Sequence, residues 1–129
     1  MTRLINTPAI EAGVPAPVAD GIWRLPLPMR ANPGHVHSYL LADDDGLVIV
    51  DTGNNTDETK AVWERVLAGP LGARGVRAVL LTHAHPDHAG NAAWLARATG
   101  APVWMADEEH DALHRLWRGA IARGDEVRA

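Results

Sequence analysis

Between Val36 and Leu41 apolar and polar positions alternate, with Val36, Ser38 and Leu40 on one side and His37, Tyr39 and Leu41 on the other. That period of two predicts a half-buried strand. Asp43-Asp44-Asp45-Gly46 reads as a hairpin turn, and Leu47 to Val50 as the next strand, ending at Asp51. Upstream, Gly21 to Leu25 predicts a short strand broken by Pro26 and Pro28, with Asn32-Pro33-Gly34 as a turn. The period then lengthens. Asn55 is placed as an N-cap with Glu58 in the reciprocal position, and the helix runs to about Ala68, where Gly69-Pro70 stops it. Its apolar pairs are Val62 with Val66 and Trp63 with Leu67.

Val76 to Leu81 predicts a strand buried on both faces. A second helix is expected from about His88 to Ala98, with Gly100 at a left-handed C-cap, then a strand over Pro102 to Met105. Asp107 caps a third helix, with Glu108 and Glu109 near its positive end and a stripe of Leu113, Leu116, Trp117, Ala120 and Ile121. Trp63 and Trp117 read as core anchors. Met1 to Asp20 is rich in Pro and Ala without periodicity, so residues 1–20 are expected to be a loose segment ahead of one domain over 21–129. The tail from Arg123 is charged and expected to fray. Strands alternating with helices predict an α/β fold, a mixed sheet covered by helices.

Composition narrows the class. A chain of 129 residues fits one domain and can bury about two-thirds of its unfolded surface. With no cysteine, disulfides and thiolate metal sites are excluded, so any metal must be held by imidazole and carboxylate. The net charge is −4, acidic and basic residues are interspersed, and Lys60 is the single lysine. No basic stripe points to nucleic acid. No apolar run approaches membrane-spanning length, and no apolar leader core follows Arg3, so a cytoplasmic location is expected.

The chemistry is concentrated in Thr82-His83-Ala84-His85-Pro86-Asp87-His88-Ala89-Gly90. Three imidazoles and a carboxylate fall within six positions, each a good ligand for a borderline divalent metal. The run leaves a strand and enters a helix, where α/β folds place their sites. His83 and His85 are two apart and point the same way in an extended segment. Pro86 pushes His85 out of the helical region, and Asp87 and His88 fall in the first turn. Two adjacent ligand groups result, His83 with His85 and Asp87 with His88.

This run resembles the His-x-His-x-Asp-His signature of the metallo-β-lactamase superfamily, and Val48-Ile49-Val50-Asp51-Thr52-Gly53 resembles that superfamily's strand ending in Asp-Thr-Gly. The likeness covers about Gly21 to the C-terminus and is nearest in flavour to glyoxalase II-like and lactonase-like hydrolases. It implies a four-layer αββα sandwich of two similar halves, of which this chain resembles the first. It makes His83 and His85 ligands of one metal and Asp87 and His88 ligands of a second, with Asp87 also orienting the nucleophile. Asp51 becomes a positioning residue beside the metal loop. The implied cofactor is a pair of zinc ions, iron or manganese also being compatible with such ligands. The implied reaction is attack of metal-activated water on a small ester, thioester or lactone.

The pattern also requires a third histidine for the first metal, a bridging aspartate and a final histidine, and nothing after Gly90 reads like them. The chain is then a fragment, a truncated product, or one that completes its site with a homodimeric partner or a missing C-terminal half. The rival class is a non-catalytic module that binds metal weakly or pairs with another protein. Four further histidines carry less weight. His35 and His37 flank a strand start, where they line the mouth of a site or are merely solvated. His110 and His114 are one helical turn apart and read as ordinary surface histidines, since no third ligand is placed beside them.

Overall fold

The alternation read in the sequence is the framework of the sheet. The computed structural model describes residues 10–30 and 32–123. Six strands lie side by side in sequence order: β1 (Ala16–Ala19), β2 (Ile22–Pro28), β3 (His35–Asp43), β4 (Gly46–Val50), β5 (Val76–Leu80) and β6 (Val103–Trp104). The first four pair antiparallel, while β5 and β6 add on in parallel. Parallel pairs need crossovers. α1 (Asp57–Ala68) joins β4 to β5, and α2 (Pro86–Ala89) with α3 (Ala92–Thr99) joins β5 to β6. α4 (Asp107–Arg123) follows.

All of the packed core lies on one side of this sheet. Register aligns Leu25, Leu40, Ile49 and Val79 across β2 to β5 on a single face through the pairs Leu25↔Ser38, Leu40↔Ile49 and Ile49↔Val79. Val62, Trp63 and Val66 of α1 and Leu95 of α3 close over that face. Burying each large aliphatic side chain stabilises the fold by roughly 1.5–3 kcal/mol. On the opposite face Tyr39, Leu80 and Trp104 remain exposed.

Several expectations are corrected. β5 is not buried on both faces: Val79 is 0% exposed but its neighbour Leu80 is 41% exposed, because α1 and α3 close over the Val79 face. β2 runs through both prolines. The Gly13 N–H donates to the Pro26 carbonyl, so the Pro26 ring nitrogen faces the β1 side, beyond the Ile22–Arg24 stretch that β1 pairs. There a missing N–H breaks no ladder bond. β1 itself lies in the segment that showed no periodicity. The cap of α1 is Thr56, one residue later than expected: its side-chain oxygen accepts from the Thr59 N–H at 3.2 Å. The single helix expected over 88–98 is two pieces broken at Gly90, and Asp107 is the first residue of α4.

Gly100 does hold the left-handed C-cap (φ 72°, ψ 5°), and the Asp43–Gly46 hairpin forms as read. Met1–Ala9 and the tail from Gly124 fall outside the described residues, as do the side chains of Leu116, Trp117, Ala120 and Ile121. Among the described residues no helix is long and apolar enough to cross a membrane.

Candidate metal centre

Two loops leave the C-terminal ends of the parallel neighbours β4 and β5 and are tied together by a buried polar lattice. Thr52, fully buried, donates its N–H to the His88 carbonyl at 2.7 Å and its hydroxyl to the same oxygen at 2.8 Å. Its Oγ1 accepts the Asn91 N–H at 3.0 Å. The Thr52 carbonyl accepts from the Trp63 indole N–H at 2.9 Å and the Asn91 amide at 3.2 Å. The Asn91 amide also donates to the Asn54 carbonyl at 2.6 Å. Most buried polar groups in folded proteins are paired in this way. Gly90 permits the approach: a Cβ there would sit 2.5 Å from the Pro86 carbonyl oxygen and 2.7 Å from the Asn55 nitrogen, both backbone atoms.

Asp51 is the hinge of the arrangement. It is a non-glycine residue held at φ 64°, a left-handed conformation that aspartate tolerates better than most but that still costs energy. Its buried carboxylate accepts from the Thr82 N–H on Oδ1 at 2.8 Å, from the Thr82 hydroxyl on Oδ2 at 2.7 Å, and pairs Oδ2 with His88 Nδ1 at 2.9 Å.

Those bonds determine two tautomers. An ionised carboxylate only accepts, so His88 Nδ1 carries the proton and leaves its Nε2 lone pair free. Thr82 has one hydroxyl proton, given to Asp51, so the 2.8 Å contact from Thr82 Oγ1 to His83 Nδ1 is donated by the imidazole. His83 Nε2 is free as well. This is the second layer of bonding that sets metal-binding histidines, a carboxylate or hydroxyl fixing the ring and its basicity from behind.

The other motif residues join them. The His83 ring centroid lies 4.1 Å from that of His88 and 4.8 Å from that of His85. His85 is extended (φ −61°, ψ 140°) as its place before proline requires, and Pro86 opens α2. Asp87 Oδ2 lies 3.6 Å from His88 Nε2. Ligands of a four-coordinate zinc with bonds of about 2.1 Å sit about 3.4 Å apart, so these two atoms fit one ion. Among the described residues, the group of three or more metal-ligating side chains whose donor atoms lie mutually close is Asp51, His83 and His88, all within 4.8 Å. A neutral-imidazole and carboxylate set suits zinc, iron or manganese and offers nothing to a soft ion.

An open cleft of about 410 Å³ adjoins the centre. Asp51, Thr82 and His88 form its floor, and His35, His37 and Tyr39 of β3 one wall. The His35 and His37 rings stack at 4.9 Å with planes 12° apart, and Tyr39 meets His37 edge-on at 6.3 Å. Desolvation first, then the His35 and Arg24 charges, hold the His37 pKa below its ordinary 6.5.

The structure thus clusters Asp51, His83 and His88, sets His85 beside His83 and Asp87 beside His88, and adds His35 and His37 to the cleft wall. His110 and His114 do not line that cleft. They are exposed on α4, with their Nε2 atoms 3.1 Å apart. Sequence reading gave no site role to Thr52, Thr82, Asn91 or Glu109; the Glu109 carboxylate accepts the Ala84 N–H at 2.9 Å. Thr82 was at least discoverable, since a hydroxyl directly before the first ligand histidine can reach its ring.

Comparison with known proteins agrees with this geometry. The family model of the metallo-beta-lactamase superfamily matches residues 31–127. Ribonuclease Z of Mycolicibacterium paratuberculosis is 35% identical over 85 residues, covering 61% of this chain and 27% of that protein. The probable metallo-hydrolase YybB of Bacillus subtilis is 34% identical over 76 residues, covering 58% of this chain and 31% of its own length. A beta-lactamase domain protein from Burkholderia ambifaria superposes with a TM-score of 0.80 at 31% identity, over 89% of this chain and 38% of that one. The chain therefore spans about a third of the length of the relatives it matches, and the sheet and helices described above are part of their fold. On its metal-loop motif, its sheet and this match over most of its length, the chain belongs to the metallo-beta-lactamase superfamily.

Proposed function

We propose that this chain carries the metal-loop part of a metal-dependent hydrolase acting on a small acyl substrate, an ester, thioester or lactone. The observation that carries the reading is the clustering of His83 and His88 with Asp51, their ligand-type atoms within 4.8 Å beside an open cleft, with Asp51 standing behind the two rings as the positioning carboxylate. In this reading His83 and His85 hold one cation, Asp87 and His88 a second, and zinc is the default ion. When bound, such ions supply Lewis acidity and bring the pKa of water toward 7.

The chain's own residues do the rest. Asp51 keeps the His88 proton on Nδ1, and Thr82 does the same for His83, so the Nε2 atom of each ring is left available to a cation. Asp87 orients the attacking water by accepting its hydrogen bond. Two protein ligands per ion fall short of the three that catalytic zinc sites use. The remaining ligands come from a second half or a second copy packed on the open sheet face.

A second reading, phosphodiester hydrolysis, draws on the ribonuclease Z relative. A polyanionic substrate calls for cationic side chains. Those lining this cleft are histidines, Tyr39, Asp51 and small or apolar residues, with no Lys or Arg among them. The acyl reading is therefore preferred. A third, non-catalytic reading keeps the metal site without turnover.

The test joins metal analysis with a substrate panel. Purified chain is expected to bind fewer than two zinc ions per monomer, and His83→Ala to abolish that binding. Unchanged metal content in His83→Ala would refute the site. Chain completed by its partner half should cleave a nitrophenyl ester or a lactone and leave bis-nitrophenyl phosphate intact. The reverse preference would favour the second reading.

A further inference from the structure

The metal loop is anchored at three points, and the third comes from an unexpected place. Its start is held by Asp51 through Thr82, and its end by Thr52 through the His88 carbonyl. Its middle, Ala84, lies between the two histidines of the His-x-His pair, and its N–H is taken by the Glu109 carboxylate at 2.9 Å. Glu109 stands in the first turn of α4, which follows β6 and is remote in sequence from both other anchors. Its neighbours Glu108 and Asp107 are exposed, whereas Glu109 is partly buried and turned to the loop. A carboxylate bonded to a backbone N–H makes one of the stronger hydrogen bonds in a protein.

We infer that Glu109 is a positioning residue for the His83–His85 pair: its bond to the Ala84 N–H holds the peptide between the two imidazoles and so sets their spacing before any cation arrives. The side chains of His83 and His85 leave the backbone on either side of Ala84, so a turn of that peptide moves both rings. Ala84 itself is buried, which limits such turning, but its N–H has no strand partner in the loop and needs an acceptor. Glu109 is that acceptor, and it ties the orientation of α4 to the geometry of the centre. This inference rests on the metal-binding reading above, although the bond it invokes exists without a cation.

Three variants of the full chain separate this role from charge alone. Glu109→Gln keeps an oxygen acceptor and loses the charge. Glu109→Ala loses both. Glu108→Ala removes an exposed charge one residue away and no loop contact. Zinc affinity by calorimetry should fall about 10- to 100-fold in Glu109→Ala, the usual effect of removing an outer-shell partner. It should stay within about threefold of the parent in Glu109→Gln and Glu108→Ala. In the zinc-free chain, exchange of the Ala84 amide proton should quicken in Glu109→Ala alone, with helix content by circular dichroism unchanged.

Equal losses in the Gln and Ala variants would assign the effect to charge and overturn the positioning role. So would parental zinc affinity and parental Ala84 exchange in Glu109→Ala. Should the parent bind no zinc, the metal reading fails, and the exchange comparison still decides whether Glu109 holds the loop.

Discussion

Val79 and Leu80 are consecutive residues of one strand, both aliphatic, and they live in different molecules as far as energy is concerned. Val79 packs in the core with residues of α1 and α3 and is fully buried, while Leu80 lies on the opposite face and is 41% exposed. The same contrast divides the whole sheet. One face, with Leu25, Leu40, Ile49 and Trp63 against it, supplies the stability of the fold. The other, with His35, His37, Tyr39 and Leu80, supplies a cleft wall and apolar surface that stays exposed among the described residues. The strand pleat alone assigns residues to the two roles. A stability-bearing face and a site-bearing face are thus interleaved along each strand.

The sharpest test of the covered face is Trp63. It is fully buried and its indole N–H also holds the Thr52 carbonyl in the loop lattice. Trp63→Ala should cost about 3–5 kcal/mol, the range for deleting a large buried ring, measured by urea unfolding. The lattice adds a second consequence: Trp63→Phe, which refills most of the volume, should still loosen the Asp51–Gly53 loop, seen as faster amide exchange at Thr52. If Trp63→Phe left that exchange unchanged, the core and the site would be independent, and the division between the faces would be cleaner than drawn here.

The open face should respond far less. Leu80→Ala is expected to change stability by no more than about 0.5 kcal/mol in dilute protein, as surface substitutions do. A loss above 1 kcal/mol that grows with protein concentration would show that a second copy covers this face in solution, since association adds to stability by mass action. Sedimentation velocity on the parent at the same concentrations distinguishes the two outcomes.

How much of this was legible in the sequence follows the same division. The alternation of Val36 to Leu41 showed the two faces of β3 correctly, because a period of two needs no tertiary knowledge. The histidine run was legible as candidate chemistry because imidazoles at fixed spacing around a proline have few other uses. What stayed hidden depends on contacts distant in sequence. Whether β5 is buried on one side or both depends on which faces the helices choose, and a run such as Val79-Leu80-Leu81 reads alike in either case. Pro26 and Pro28 looked like breaks because nothing local says that β1 pairs with β2 only as far as Arg24. Thr52, Asn91 and Glu109 look like ordinary polar residues, and only the fold puts their partners within reach. Asp51 was legible as a candidate through the strand ending in Asp-Thr-Gly, but its left-handed backbone and three bonds were not.

The smallest expected effect lies on the open face and is a slope with pH. His37 has its pKa held below 6.5 by desolvation first, then by the nearby His35 and Arg24 charges. Lowered in the folded chain, it binds a proton less readily there than in the unfolded chain, so folding competes with protonation. Well above pH 6.5 both states hold His37 neutral and this contribution to stability is fully present. As pH falls through 6.5 toward the depressed folded value, the unfolded state takes up the proton first and stability declines. Below that folded value the loss is complete. His37→Asn removes the titrating ring and should flatten this part of the stability curve between pH 7 and 5, measured by urea unfolding of the metal-free chain. A variant whose slope matched the parent would place the acid sensitivity elsewhere, and would leave the wall histidines of the open face without a measurable share in folding.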